Sequence, residues 1–332
     1  MPNLRIQQFT SKNKNLIVGT ILIICALFLV FPLPPTFPSG QLSSYSFEAA
    51  LTAFSDQGKE IRVDSPTCDD KILHHGKKTK KVVVLFHGFT NCPAQFSQLD
   101  QLFWDKGYNV VIPRLPYHGH IDKLNQQASQ LKPSDLINKA NLTMSIASAM
   151  GDSTEVVGIS AGASLATWSS INFNINKLLI IAPLIAPQGV PYWAMGGTRK
   201  FLDLAPNDFR WWDENNKTEI IGPKYAYPQF STKALLSFFQ LNRHTIDQSN
   251  ILKKGSKSVM NKIILIENDE AINNQAALEF VKQLDYVFEE KFDTEVLPKE
   301  LNLGHDIIDP NQPYFNPNLV YPKILSKLEV GD

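Results

Sequence analysis

Ser160 lies in the run "VVGISAG", with Gly158 and Gly162 two residues to either side and an apolar stretch before it. A serine hydroxyl is a weak nucleophile at neutral pH, so it does chemistry only beside a base whose tautomer is fixed by an acid. Two downstream runs supply those types. "NDEAINN" places Asp269 just after the apolar "KIILIE", and "LNLGHDIID" places His305 after "TEVLPKE". Glu267, which ends the first of these apolar runs, competes with Asp269 for the role of acid. Glycines at 158 and 162 clear the space that a sharp strand-to-helix turn denies to side chains. Such a turn exposes the serine oxygen and aims the Ala161 N–H at a developing oxyanion. A chance G-x-S-x-G in a helix-start loop is the bland alternative, and the flanking "TEVV" and small "AGAS" favour the elbow. In "FHGFTNCP", Gly88 lets the backbone bend so that the Phe89 N–H becomes a second oxyanion donor, with His87 as a positioning group.

The other histidines offer less. His118 and His120 in "RLPYHGH" are two candidate metal ligands, but no Asp, Glu or Cys at ligand spacing completes a set, so no metal site is expected and both read as loop residues near a site. His74 and His75 read as surface residues, and His244 as part of a helix.

Positioning these groups requires regular elements, and their order is readable. "KVVVLF", "YNVVIPR", "TEVVGIS", "KLLIIAP" and "NKIILIE" read as buried strands, with helices between them at "PAQFSQLDQLFWDKG", "SDLINKANLTMSIASAMG", with Ser134 available as its cap, and "AGASLATWSS". Alternation implies a mostly parallel sheet flanked by helices. The long segment between the last two strands exceeds any ordinary connection and is expected to form a cap. It carries "VPYWAM", "DFRWWDENN" and "PKYAYPQF", whose aromatics are expected to divide between the cap's own core and an apolar wall for a substrate. Tyr117, His118, Trp193, Trp211 and Trp212 are the candidate pocket residues.

The 332 residues carry 32 Lys plus Arg against 32 Asp plus Glu, so nothing overall attracts nucleic acid. "LIVGTILIICALFLVF" (Leu16–Phe31) holds no charge, follows Arg5, Lys12 and Lys14, and meets the helix-ending "PLPPTFP". It is expected to anchor the chain in a membrane with a cytoplasmic N-terminus and the remainder exported; a cleaved signal peptide is the alternative, with secretion as its consequence. Cys25 falls in this segment, which leaves Cys68 and Cys92 as a candidate disulfide in an oxidising compartment, or as two unrelated thiols. The expected organisation is a tail over 1–15, an anchor over 16–34, a linker with helix and strand over 35–80, the first part of the core over 81–187, the cap over 188–260 and the second part of the core over 261–332.

Five motifs in order, "HGFTNCP", "RLPYHGH", "GISAG", "ENDEAIN" and "GHDI", resemble the α/β-hydrolase superfamily in its carboxylesterase, monoacylglycerol lipase and serine-aminopeptidase-like branch. The resemblance runs from about Lys81 to the end. It implies an α/β-hydrolase fold with Ser160 as nucleophile, Asp269 as acid, His305 as base, and Phe89 and Ala161 as oxyanion donors. It also implies acyl transfer through an acyl-serine with no cofactor, and the aromatic insertion together with the anchor favours an apolar or lipid-like ester over a peptide. A serine aminopeptidase or acyltransferase is the alternative, and a non-catalytic binding protein of the same fold is a more distant one. Tyr117 departs from the glycine common at its position.

Overall fold

Apolar runs rich in Val, Ile and Leu, separated by amphipathic segments, build an α/β layer structure. The structure is a computed structural model and describes residues 37–60, 66–213, 217 and 222–328. The expected tail and anchor, 1–15 and 16–34, lie outside the described residues, among which no helix is long and apolar enough to cross a membrane.

In chain order the elements are α1 (Phe47–Glu60), β1 (Lys71–Leu73), β2 (Thr79–Phe86), α2 (Leu99–Asp105), β3 (Asn109–Ile112), α3 (Pro133–Met150), β4 (Gly151–Ile159), α4 (Gly162–Asn172), β5 (Lys177–Ile181), α5 (Met195–Leu204), β6 (Phe209–Trp211), β7 (Gln229–Ser231), α6 (Thr232–Ile251), β8 (Met260–Ile266), α7 (Asn274–Leu284), β9 (Asp293–Leu297) and α8 (Pro317–Lys327). Seven strands form one sheet in the order β1-β3-β2-β4-β5-β8-β9, parallel except for β1 at the edge. Val82–Phe86, Leu178–Ile181 and Ile263–Ile266 are buried on both faces, as expected of parallel strands covered by helices. Each such side chain contributes about 1.5–3 kcal/mol of burial.

Register sets where the loops leave. Phe86 pairs with Gly158, Ile159 with Ile181, Ile181 with Ile264, and Ile266 with Leu297. The strands β2, β4, β5, β8 and β9 therefore end along one edge, and the segments carrying His87, Ser160, Asp269 and His305 all leave from it.

Two local expectations change, and the strand expected within 35–80 takes a definite place. The helix expected over "PAQFSQLDQLFWDKG" is broken into a 3-10 turn, Pro93–Phe96, and α2, because Gln98 between them takes a φ of 78°, which no right-handed helix contains. The cap of α3 is Lys132, not Ser134: Pro133 occupies the first helical position, where its missing N–H costs nothing, and Asp135 Oδ2 accepts from Lys132 N at 3.0 Å. Lys71–Leu73 pairs antiparallel with β3 as a three-residue strand. In the insertion between β5 and β8, α6 packs on α4 and α3, the helices that cover the sheet, which leaves α5 and the antiparallel β6–β7 pair outside those layers.

Candidate active site

Ser160 follows the central strand β4 and adopts a φ of 53°. A left-handed non-glycine residue costs about 1–3 kcal/mol, so the surroundings must hold it there. They do so with three backbone bonds: Ser160 N donates to Ile181 O at 2.9 Å, and Ser160 O accepts from Ala163 N at 3.1 Å and Leu184 N at 3.0 Å. The glycines are sterically required. A Cβ on Gly158 would lie 2.5 Å from Gly162 O, and one on Gly162 would lie 2.0 Å from Phe86 O.

His305, in the loop after β9, brings Nε2 to 2.9 Å from Ser160 Oγ, and its Nδ1 lies 2.7 Å from Asp269 Oδ2. Since the carboxylate only accepts, Nδ1 carries the proton and Nε2 offers its lone pair to the serine hydroxyl. Asp269, in the loop after β8, is itself fixed: its Oδ1 accepts from Ala271 N at 2.8 Å and Ile272 N at 3.0 Å, and its side chain is buried. Burial disfavours protonation of His305, but the charge and hydrogen bond of Asp269, helped by Asp306, outweigh it and raise the imidazole pKa above its ordinary value. Glu267 is directed elsewhere, accepting from Lys299 N at 3.0 Å.

The loop after β2 lies against the serine. A Cβ on Gly88 would stand 3.5 Å from Ser160 Cβ. Among the described residues neither Phe89 N nor Ala161 N donates to another group, so both amides remain for a ligand oxygen. His87 is buried and holds the loop through both ring nitrogens: Nδ1–H donates to Gly88 O at 2.9 Å and Nε2 accepts from Leu115 N at 3.0 Å. Burial, then neighbouring His118, lowers the His87 pKa and keeps the ring in that neutral form. The partner loop is anchored in turn, since Asp70 Oδ1 accepts from Arg114 N at 2.8 Å and from Lys139 Nζ at 2.7 Å. Tyr117 there has a φ of 63°, so it adopts the left-handed conformation that a glycine would take more readily.

The structure brings some of the expected pocket residues to the site and leaves others away from it. Trp212 packs on Phe89 and Phe230 with ring centroids 6.0 and 4.3 Å apart, and Phe238 lies 5.3 Å from Phe89. His118 contacts Phe89 edge-on at 6.1 Å, with burial lowering its pKa to about 4. Trp193 is 84% exposed, and Trp211 is half-buried on β6, paired with Gln229. His74 is exposed, whereas His75 stacks on Trp104 at 4.7 Å. Among the described residues no cluster of His, Cys, Asp or Glu could hold a metal.

Cys68 and Cys92 are joined, with Cα atoms 5.3 Å apart, tying the Pro66–Cys68 turn to the segment that follows Phe89. The inserted segment is tied to the same loop. Trp212 Nε1 donates to Thr90 Oγ1 at 2.8 Å and Tyr227 N to Thr90 O at 2.8 Å, while Thr90 itself has a φ of 63°. Sequence reasoning misses Leu115, Thr90, Asn91 and Gln95, because their roles rest on backbone atoms or on distant partners. The amide-bearing Asn91 and Gln95 so close to Phe89 are the one available signal.

No protein-family model matches the sequence, and no curated protein matches it. Solved structures do match. One of two metagenome-derived lipolytic enzymes, LipS and LipT, is 18% identical, with 80% of this chain and 98% of that one covered and a TM-score of 0.55. The monoacylglycerol lipase of Paleococcus ferrophilus is 14% identical, covering 78% and 98%, at 0.56. A soluble variant of the Saccharomyces cerevisiae monoglyceride lipase, solved with a substrate analogue, is 14% identical, covering 79% and 90%, at 0.54.

Proposed function

We propose, from the premise that this chain has the α/β-hydrolase fold, that it is a serine hydrolase of carboxylic esters with apolar acyl groups. The observation that carries this is the relay Ser160 Oγ–His305 Nε2 at 2.9 Å and His305 Nδ1–Asp269 Oδ2 at 2.7 Å, beside two undonated amides. In the reaction Ser160 Oγ attacks the ester carbonyl carbon as its proton passes to His305 Nε2. Phe89 N–H and Ala161 N–H hold the tetrahedral oxyanion. His305 returns the proton to the departing alkoxide, leaving acyl-Ser160 and an alcohol. Water, deprotonated by His305, then releases the acid and restores the hydroxyl.

The substrate class rests on the Phe89, Trp212, Phe230 and Phe238 rings beside the oxyanion loop, an apolar wall without a charged side chain among them. Three structurally similar proteins are described as lipolytic or monoacylglycerol-cleaving. The proposal also places the chain in a membrane as a single-pass protein, N-terminus cytoplasmic and catalytic domain exported. Support comes from the uncharged Leu16–Phe31 after Arg5, Lys12 and Lys14, and from a Cys68–Cys92 bridge that persists in oxidising compartments. The test is a profile of the detergent-purified full chain against esters of graded acyl length and an aminoacyl amide. Efficiency should rise over the first several carbons by up to about 0.8 kcal/mol per methylene. A preference for the amide would make the protein an aminopeptidase, and a steady fall from acetyl would remove the apolar acyl site.

A further inference from the structure

The segment holding the base and the segment holding the oxyanion donor are bonded directly to each other, through residues outside the triad. Asp306, next to His305, accepts on Oδ2 from Asn91 Nδ2 at 3.1 Å and from Gln312 Nε2 at 3.1 Å. Asn91 is part of the turn that bears Phe89: Asn91 N donates to Gly88 O at 3.2 Å, and Asn91 Oδ1 accepts from Cys92 N at 2.9 Å. Gln95 reinforces the link, because its Oε1 accepts from Gly88 N at 2.8 Å while its side chain also bonds Asp306. Asp306 is secured from behind by Tyr314, whose hydroxyl accepts from Asp306 N at 3.3 Å.

A buried carboxylate persists only if its surroundings are donors. Asn91, Gln95 and Gln312 are such donors, and Asp306, Asn91 and Gln95 are all buried. Burial, then Asp309, raises the Asp306 pKa to about 6, so the group is still an acceptor-only carboxylate at neutral pH. Asp309 is held by Tyr225 Oη at 2.7 Å and Asn311 N at 2.9 Å, and the Asn91 side chain bonds it as well as Asp306.

We propose that Asp306 is a positioning residue that sets the Phe89 amide relative to His305 and Ser160 through its bond to Asn91, so that base and oxyanion donor are held in one frame. This rests on the esterase reading for its kinetic consequence, though not for its structural one. Displacing a reacting group by about 1 Å costs up to about 100-fold in rate. Loss of the bond should therefore lower kcat by more than it raises KM, since the Phe89 amide acts on the oxyanion of the transition state while Trp212, Phe230 and Phe238 still line the acyl wall.

The experiment uses the full chain in detergent and four variants: Asp306→Ala, Asp306→Asn, Asn91→Ala and the double alanine variant. Asp306→Ala and Asn91→Ala should each reduce kcat by about 10- to 100-fold with KM within about twofold. The double variant should lose clearly less than the product of the two single losses, because the Asp306–Asn91 bond is common to both. Asp306→Asn, which keeps an oxygen where Oδ2 stands, should restore kcat to within about threefold of the unmutated protein. Hydrogen exchange of the peptide spanning residues 87–92 should speed up in the two alanine variants and not in Asp306→Asn. Unchanged kcat in Asp306→Ala, a loss carried by KM alone, additive losses, or unaltered exchange would each overturn the proposal. If the unmutated protein cleaves no ester, the esterase reading fails, and the exchange measurement still decides whether Asp306 holds the loop. Should Asp306→Ala fail to fold, comparing Asn91→Ala with Asp306→Asn decides the same question.

Discussion

Replacing Asp269 by asparagine tests the relay at its most constrained point. Two backbone amides, Ala271 N at 2.8 Å and Ile272 N at 3.0 Å, point at Asp269 Oδ1. An asparagine in that place must present its carbonyl oxygen to those donors, which forces its NH₂ group toward His305 Nδ1. Nδ1 then has to accept, the ring proton moves to Nε2, and the atom facing Ser160 Oγ becomes a donor instead of a base. The fold and the substrate wall are unaffected, so the loss appears in kcat. Removal of the correct tautomer in a comparable triad costs about 10⁴, or about 5.4 kcal/mol. Glu267→Gln is the control. Lys299 N lies 3.0 Å from Glu267 Oε2, and the amide oxygen of a glutamine can accept that bond equally, so the effect should stay within about threefold. The assay is pre-steady-state and steady-state cleavage of a chromogenic medium-chain ester, with circular dichroism to verify folding. Asp269→Asn within tenfold of the unmutated protein, or a larger loss from Glu267→Gln, would refute the reasoning from the two amides.

Ser160→Ala should remain folded and lose about 10⁶ in turnover, and a fluorophosphonate should label Ser160 alone by peptide mass spectrometry. Activity requires neutral His305, whose pKa lies above the ordinary 6.5, so kcat/KM should fall with decreasing pH through an apparent pKa higher than 6.5. Gly162→Ala puts a Cβ 2.0 Å from Phe86 O and should destabilise the fold by about 3 kcal/mol in chemical denaturation. Trp212→Ala should flatten the dependence of kcat/KM on acyl length, whereas Trp193→Ala, at an 84% exposed side chain, should leave the profile unchanged.

The candidate Ser160–His305–Asp269 relay was legible because Ser160 and Asp269 follow strands that the apolar runs reveal, and because five motifs in the order of the resembled family ranked the candidates. Asp269 was separable from Glu267 by its place beyond the strand end, which the bond to His305 matches. The sheet was legible for the same reason, except for β1, whose three residues are too few for a pattern. Gln98 broke an expected helix, since left-handed backbone at a non-glycine residue has no sequence signature. The Asn91–Asp306 bond spans 215 positions, and no local rule reaches that far. The same holds for Trp212 and Thr90, separated by 122. The aromatic content of the insertion predicted an apolar wall, but not that Trp212 would meet Phe89 while Trp193 stays in solvent.

On the proposed mechanism, Thr90 gives the inserted segment a share in the chemistry. A β-branched residue rarely rests at a φ of 63°, and here two bonds from the insertion, Trp212 Nε1 and Tyr227 N, both end on it. Its neighbour is Phe89. Whatever shifts Trp212 to fit a different acyl chain therefore also pulls on the residue after the oxyanion donor, and by linkage whatever tightens that donor favours one position of Trp212. On the proposed mechanism, acyl fit and the placing of the oxyanion donor are coupled through Thr90, so a variant selected to accept a new ester should also change in rate.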